Sequence, residues 1–254
     1  MTTRPVWAEI SRPRLLENYG LLRRLAGEAE LLAIIKADAY GHGVLACAET
    51  IVAENPHAWL GVTGVEEGVA VRALAPHAHI VVMGSVWQNE AESAIEYRLI
   101  PVVWEPSQIE ALQSAATARG LAPGSIPVHI EIDTGMSRQG VRRECLPALL
   151  GCLSASPGLR IEGAMTHLHS PEALDNCAND AQLEGFVGAI DTMAARGFHL
   201  EWIHAGNSAT LLSEDGAARL VRIAERYKTK AMLRPGLALY GYAPRFSSAG
   251  LSLA

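Results

Sequence analysis

The chain has 254 residues, of which 49% are hydrophobic and 19% are charged. This is enough apolar material to bury the core of one large domain, and it argues against a disordered chain. The net charge of −6 argues against a binding surface for nucleic acid or anionic membrane, which requires clustered positive charge, so we expect a small-molecule substrate.

Two segments lie outside the main pattern of the chain. A predicted strand, Val6 to Ile10, and a predicted helix, Arg12 to Leu25, come first. At the other end, Pro244 to Ala254 is small and polar, and we expect it to be poorly ordered unless something packs on it. We therefore divide the chain into residues 1–27, a barrel at 28–243, and a tail at 244–254.

Between these segments, strand-like runs alternate with helical runs, which specifies a parallel sheet. The eight predicted strands are Leu31–Ile35, Trp59–Thr63, His79–Met83, Leu99–Val103, Ile126–Asp133, Arg160–His167, Trp202–Ala205 and Leu233–Tyr240. The predicted helices are Gly43–Val52, Val65–Leu74, Asn89–Tyr97, Pro106–Arg119, Arg142–Ser154, Ala178–Arg196 and Glu214–Arg226. We expect an α/β fold, a (β/α)8 TIM-like barrel; an open doubly wound sheet is the alternative, disfavoured because no GxGxxG follows the first strand.

Lys36 follows the first barrel strand, in the sequence LLAIIKADAYGHG. A lysine that leaves a buried strand loses hydration, which favours a neutral amine able to form a Schiff base with a carbonyl. The alternative is that Lys36 only extends its charged end from the barrel mouth into solvent. The other strand ends favour the first interpretation.

In a β/α barrel, chemistry takes place at the carboxyl ends of the strands. Ser208 at a helix start and Gly236, which permits close backbone approach, could together hold a phosphate. The chemically informative strand-end residues are Lys36 and Tyr40, Asp133 to Arg138, Thr166 and His167, Gly206 to Ser208, and Arg234 to Leu237.

The sequence contains no apolar run near the roughly 20 residues of a membrane span, and its N-terminal residues lack a signal-peptide core. We therefore expect a cytoplasmic protein. The four cysteines, Cys47, Cys145, Cys152 and Cys177, have no zinc-ligand spacing and are too few for a disulfide framework, so we expect free thiols.

Together, the strand-end motifs resemble the alanine racemase family, which depends on pyridoxal 5'-phosphate (PLP). The resemblance covers nearly the whole chain, in the family's order. The segments that carry it are Lys36–Gly43 (KADAYGHG), Asp133–Arg138 (DTGMSR), Thr166–His167, His204–Ala209 (HAGNSA), Arg234–Gly241 (RPGLALYG), Trp7–Ile10 and Asn18.

The resemblance implies conversion of L-alanine to D-alanine, which supplies peptidoglycan. Lys36 would bind PLP covalently and then remove or return the Cα proton on one face of the substrate. Tyr40, Ser208 and the backbone at Gly236 and Leu237 would hold the phosphate. The alternative for Tyr40 is a packed turn aromatic.

The remaining implied site residues surround the cofactor ring. Arg138 would orient the phenolic oxygen of PLP. Arg234 would face the pyridine nitrogen and, because its pKa is high, keep that nitrogen unprotonated and favour racemisation over transamination. His167 would stack near the cofactor, while Asn207 and Met83 would line the pocket. Lys36, His167 and Arg234 form the implied catalytic set.

Two positions behind the implied site need separate interpretation. His204 would support His167, although a core histidine bonded to a neighbour is the alternative. Where the family often has a carbamate-modified lysine, this chain has Glu131. Glutamate carries a carboxylate directly, so we expect Glu131 to hold Arg138, with Asp133 as an alternative partner.

In the family, a β-rich domain follows the barrel, and a tyrosine from it, donated across a head-to-tail homodimer, is the base on the opposite face. Tyr240 and Tyr242 belong to the strand-eight motif and should not replace that tyrosine. Because proton transfer on two faces needs an acid or base on each, we expect this chain to bind PLP but racemise poorly without a partner. The sequence is compatible with a fragment, a truncated gene product or half of a split enzyme.

Two other functions are open. One is a non-catalytic PLP carrier built on the same barrel, which the short length favours. The other is a PLP-dependent D-amino-acid aldolase, which uses a metal; His167 and His169 are the nearest candidate ligands, and we expect no metal site.

Overall fold

The computed structural model describes residues 7–87, 89–170, 177–244 and 250–254. Its strands are β1 Glu30–Ile34, β2 Trp59–Val62, β3 His79–Val82, β4 Ile100–Val103, β5 Ile126–Asp133, β6 Val141–Arg142, β7 Leu159–Met165, β8 Trp202–Asn207 and β9 Lys230–Arg234. They form a closed barrel, because the pairing order β4-β3-β2-β1-β9-β8-β7-β5 returns from β5 to β4. All pairings are parallel, and β6 pairs with β5 beside the barrel. The predicted TIM-like barrel is confirmed.

Helices surround the barrel and connect its strands. They are α1 Arg12–Ala26, α3 Val44–Glu54, α4 Val65–Arg72, α5 Glu90–Glu96, α6 Pro106–Ala118, α7 Leu146–Ser154, α8 Cys177–Ala195, α9 Ser208–Leu212 and α10 Gly216–Arg226. A six-residue segment, α2 Lys36–Gly41, turns with the opposite hand, and a 3₁₀ helix spans Leu237–Tyr240.

The strands are short apolar runs because both of their faces are buried. In β1 the side chains alternate: Leu31 and Ala33 pack outward against the helices, whereas Leu32 and Ile34 join a cluster inside the barrel. Strands of this kind place the residues that follow them at the barrel mouth, which is where Lys36 lies, two residues beyond Ile34.

The last predicted strand, Leu233 to Tyr240, is wrong in its bounds. Strand β9 starts at Lys230 and ends at Arg234, and the residues beyond it form the 3₁₀ helix Leu237–Tyr240. The reason is Pro235, which has no N–H to continue the ladder. Its carbonyl still accepts a bond from the Ile34 N–H (3.0 Å).

The two terminal predictions have different outcomes. Val6 lies outside the described residues, and the predicted strand is absent from Trp7 to Ile10. In the tail, residues 245–249 lie outside the described part, but residues 250–254 pack on α1. Asn18 Nδ2 donates to Ser252 O (2.7 Å), and Ser252 N donates to Asn18 Oδ1 (3.0 Å).

None of the helices in the described part of the chain combines the length and apolar character needed to cross a membrane. Cys47, Cys145 and Cys152 are free thiols, as predicted.

Candidate active site

A cavity of about 520 Å³ opens at the carboxyl ends of the barrel strands, a volume typical of small-molecule sites. It brings together every predicted cofactor-binding residue, whereas His204 lies behind its wall. The predicted residues that line it are Lys36, Tyr40, Met83, Glu131, Arg138, His167, Asn207, Ser208, Arg234, Gly236 and Leu237. Sequence analysis missed the lining residues Ile34, Thr63, Gly84, Gln139, Met165, Ala209, Ala243 and Pro244.

Lys36 stands at the start of a left-handed turn. Ala37 to Tyr40 have φ angles of +52° to +55°, a conformation that disfavours residues with a Cβ by about 1–2 kcal/mol each. Glu67 on α4 stabilises this turn, since its Oε1 accepts from the Ala37 N–H (2.7 Å) and its Oε2 accepts from the Thr63 N–H (2.7 Å).

The Lys36 amine is only partly buried, but its surroundings disfavour the ammonium form. Burial is the main cause that lowers the pKa of Lys36, and the nearby positive charges of Arg138 and Arg234 act in the same direction. The negative charge of Glu67 opposes them. A larger fraction of Lys36 is therefore a neutral, nucleophilic amine than for a lysine in water.

Arg234 reaches the cavity from the end of β9 as a buried guanidinium. Its Nη2 donates to Thr166 O (2.7 Å) and lies 3.4 Å from His167 Nδ1. Its Nη1 has no hydrogen-bond partner among the described residues. Burial lowers the pKa of Arg234 to about 10, so the side chain still carries its charge at neutral pH.

His167 is a neutral imidazole in this setting. Burial, then the charges of Arg234, Arg138 and Lys36, lower the pKa of His167 to about 3. Since an arginine only donates, Nδ1 of His167 accepts and the proton lies on Nε2.

Ser208 and Gly236 lie together at the cavity rim. The Ser208 hydroxyl oxygen accepts from the N–H groups of Gly236 (3.0 Å) and Ala238 (3.1 Å), which leaves its own proton available to an anion. A Cβ at position 236 would collide with the Tyr40 hydroxyl. Asn207 caps α9 through Oδ1, which accepts from the Ala209 N–H (2.9 Å).

The predicted ion pair between Glu131 and Arg138 is not present. Glu131 instead accepts from Gln139 Nε2 (2.5 Å), which also donates to Met83 O (3.1 Å). The alternative partner, Asp133, accepts from two backbone N–H groups of its own loop. The loop geometry explains the difference, because it brings Gln139, and not its neighbour Arg138, over the carboxylate. Burial raises the pKa of Glu131, which the Gln139 bond opposes.

His204 is a buried histidine bonded to another. Its Nε2 lies 2.9 Å from His129 Nδ1, and His129 Nε2 lies 3.3 Å from Glu162 Oε2. Sequence analysis missed His129 and Glu162; the available signal was a polar side chain between apolar neighbours in each of two buried strands.

Two further predicted positions have contacts of their own. His169 Nδ1 lies 2.6 Å from Ser170 Oγ, and within the described ranges no group of three or more His, Cys, Asp or Glu is arranged to hold a metal. Tyr240 is buried and donates its hydroxyl to Ile34 O (3.0 Å), whereas Tyr242 lines the cavity.

Comparisons with known proteins identify relatives of this chain. Alanine racemase of Desulfovibrio desulfuricans is 31% identical over 242 residues, which cover 95% of this chain and 61% of that protein. The chain thus spans about three fifths of the length of the curated relative. The alanine racemase structure from D-cycloserine-producing Streptomyces lavendulae has a TM-score of 0.84 at 25% identity, covering 100% of this chain and 65% of that one.

A second solved structure is the alanine racemase of Bartonella henselae with covalently bound pyridoxal phosphate. It has a TM-score of 0.78 at 22% identity and covers 96% of this chain and 63% of that one. The family model described as alanine racemase, N-terminal domain, matches residues 10–244. Because that match takes in almost the entire barrel and its cavity, the chain belongs to the alanine racemase family and corresponds to its N-terminal domain.

Proposed function

We propose that this chain is the PLP-binding barrel of an alanine racemase, with PLP attached covalently to Lys36. The observation that carries the proposal is the pairing, within one cavity, of a lysine of lowered pKa with a buried arginine that has an unsatisfied donor. A relative of the same fold, from Bartonella henselae, is described as carrying covalently bound pyridoxal phosphate.

The residues present fit this cofactor. A pyridine nitrogen is an acceptor, and it would accept from one of the two N–H groups of Arg234 Nη1, which has no partner in the described part of the chain. A phosphate would receive the free proton of the Ser208 hydroxyl, next to Tyr40 and to the close backbone approach at Gly236. We further propose residues 28–243 as the PLP-binding unit, since every predicted cofactor-binding residue lies within these bounds.

When bound, PLP supplies an electron sink for the negative charge left on removal of the Cα proton. Lys36 would take that proton and return it on one face of the substrate. Arg234 keeps its own proton, because even its lowered pKa of about 10 lies well above neutrality. It would therefore donate a hydrogen bond to the ring nitrogen without protonating it, which limits reprotonation on the cofactor.

The opposite face of the substrate needs a second acid or base. Tyr240 does not suit this role, because its hydroxyl is buried and committed to Ile34 O, and burial raises the pKa of Tyr240 far above its usual value. We propose that the second base comes from outside this chain, in a homodimer or from a partner, and that this chain alone binds PLP but racemises alanine slowly.

A spectral titration with PLP tests the first part of this proposal. The chain has three lysines, Lys36, Lys228 and Lys230, and the last two lie at the amino end of β9, away from the cavity. Lys36→Arg should abolish the absorbance change that reports covalent PLP, and the matched Lys230→Arg variant should keep it. Loss of the change in both variants, or in neither, would contradict the assignment.

Assays with L- and D-alanine, with and without EDTA, then separate the reactions. A racemase converts either enantiomer and is insensitive to EDTA. A PLP carrier converts neither, and a metal-dependent aldolase acts on D-amino acids and loses activity in EDTA.

A further inference from the structure

A chain of three buried polar side chains lies behind the cavity wall. It runs from Glu162 on β7 to His129 on β5 and on to His204 on β8, through contacts of 3.3 and 2.9 Å. The ring of His129 lies against Gly163, where a Cβ would come 2.9 Å from ring atom Cε1. Gly163 therefore packs closely against the His129 ring and limits its movement.

The first link of the chain is a carboxylate. Burial raises the pKa of Glu162, but hydrogen bonds from His129 and Arg160 outweigh it, and the pKa lies below its usual value. Arg160 Nη2 lies 3.0 Å from Glu162 Oε1.

The Glu162 carboxylate determines the tautomers of His129 and His204. A carboxylate only accepts, so His129 donates to Glu162 from Nε2, and a His129 ring with this single proton has an acceptor at Nδ1. His204 must then donate from Nε2, which leaves a lone pair on its own Nδ1. His204 is neutral, because complete burial holds its pKa well below the usual value.

His204, the last of these three side chains, has a buried acceptor without a partner among the described residues, and Arg234 has a buried donor without one. His204 Nδ1 and Arg234 Nη1 are both buried without partners in the part of the chain that the structure describes. They lie on the neighbouring strands β8 and β9, and the charge of Arg234 acts on His204. A lone pair on His204 Nδ1 attracts the guanidinium, whereas an N–H there would repel it.

We propose that Glu162 and His129 are positioning residues, which fix His204 as the Nε2–H tautomer and so keep its Nδ1 lone pair available to Arg234. The carboxylate near the amino end of the barrel thereby holds in place the guanidinium that faces the cavity. The last step rests on the proposed function, since it concerns the arginine assigned to the cofactor ring. The tautomers themselves do not depend on it.

Nitrogen-15 NMR of histidine-labelled protein, recorded without cofactor above neutral pH, tests the tautomers directly. Resonances of His129 and His204 are assigned by their loss in His129→Gln and His204→Gln. The wild-type protein should show both rings protonated on Nε2 and not on Nδ1. An Nδ1–H tautomer at either position, or a doubly protonated ring at either, would overturn the proposal without any need for the Glu162 variants.

Glu162→Gln should reverse both tautomers. Arg160 donates only, so the amide oxygen must face Arg160 and the amide NH₂ must face His129. His129 then accepts at Nε2 and donates from Nδ1, and His204 becomes an Nδ1–H donor towards Arg234. The double variant Arg160→Ala/Glu162→Gln should restore the wild-type tautomers, because the amide is then free to turn its oxygen towards His129.

Glu201→Gln is the matched control, because Glu201 contacts the same arginine at 2.6 Å from the exposed side and should leave both tautomers unchanged. In a PLP titration, Glu162→Gln should weaken PLP binding several-fold, whereas Glu201→Gln should not.

Reversed tautomers with unchanged PLP affinity would overturn the link between His204 and Arg234. Unreversed tautomers in folded Glu162→Gln would overturn the proposal that Glu162 fixes the tautomer of His204 through His129. Failure of the wild-type protein to bind PLP would refute the proposed function alone.

Discussion

At the scale of single residues, the chemistry depends on how far Lys36 departs from an ordinary lysine. Its pKa is lowered first by burial and then by Arg138. A lysine in this state reacts as a nucleophile at a lower pH than an exposed one, which makes the shift measurable by chemical modification.

Replacing Arg138 by methionine should raise the pKa of Lys36. The substitution removes a positive charge that disfavours the ammonium form, so at a fixed pH the neutral fraction falls and acetylation of Lys36 slows. The pH dependence of acetylation, followed by mass spectrometry, measures the shift. Arg24→Met on α1 is the control and should have no effect; an equal or lower pKa in Arg138→Met would contradict the electrostatic account.

Gly236 allows the backbone to approach Tyr40. Gly236→Ala places a methyl group against the Tyr40 hydroxyl, so we expect PLP affinity to fall about tenfold, equivalent to about 1.4 kcal/mol. Spectral titration measures the loss. Adding Tyr40→Phe to Gly236→Ala removes the nearest clashing atom, and it should restore part of the affinity relative to Tyr40→Phe alone; no restoration would exclude this collision as the cause.

At the scale of secondary-structure elements, Glu67 joins α4 to the left-handed turn. Both of its carboxylate oxygens accept from backbone N–H groups. In Glu67→Gln one of those positions becomes an NH₂ group facing another N–H, so we expect a loss of about 1–3 kcal/mol in the free energy of unfolding.

Urea denaturation of Glu67→Gln and of its exposed neighbour variant Glu66→Gln measures this effect. The Glu66 variant should match the wild-type protein. Equal stability of the two variants would show that the Glu67 carboxylate does not support the turn.

At the scale of the whole molecule, Asn18 connects α1 to both the 3₁₀ helix and the tail. Its side-chain NH₂ donates to Leu239 O (3.1 Å) and Ser252 O (2.7 Å). Asn18→Asp keeps the shape but replaces these donors with an acceptor, so we expect a loss of about 1–3 kcal/mol in unfolding free energy and faster proteolysis near residue 252. Glu17→Gln is the exposed control, and unchanged proteolysis in Asn18→Asp would contradict docking of the tail through Asn18.

The barrel could be predicted from the sequence, because strand-like and helical runs alternate along the chain. The motifs at the strand ends also identified part of the cavity lining, because the carboxyl ends of the strands meet at the barrel mouth. The left-handed turn could not be predicted. Positive φ angles fall on Ala37 to Tyr40, none of them glycine, and a supporting carboxylate lies on another helix. Gln139 was missed for a similar reason, since only the folded loop shows that it, and not Arg138, reaches Glu131.

The central claim is that Lys36 is the point of covalent attachment for PLP. Borohydride reduction of the PLP-treated protein, followed by peptide mapping, tests it most directly, because only three lysines compete for the label. The account predicts a pyridoxyl group on Lys36 and none on Lys228 or Lys230. A label on either of the latter two, or no label, would contradict it.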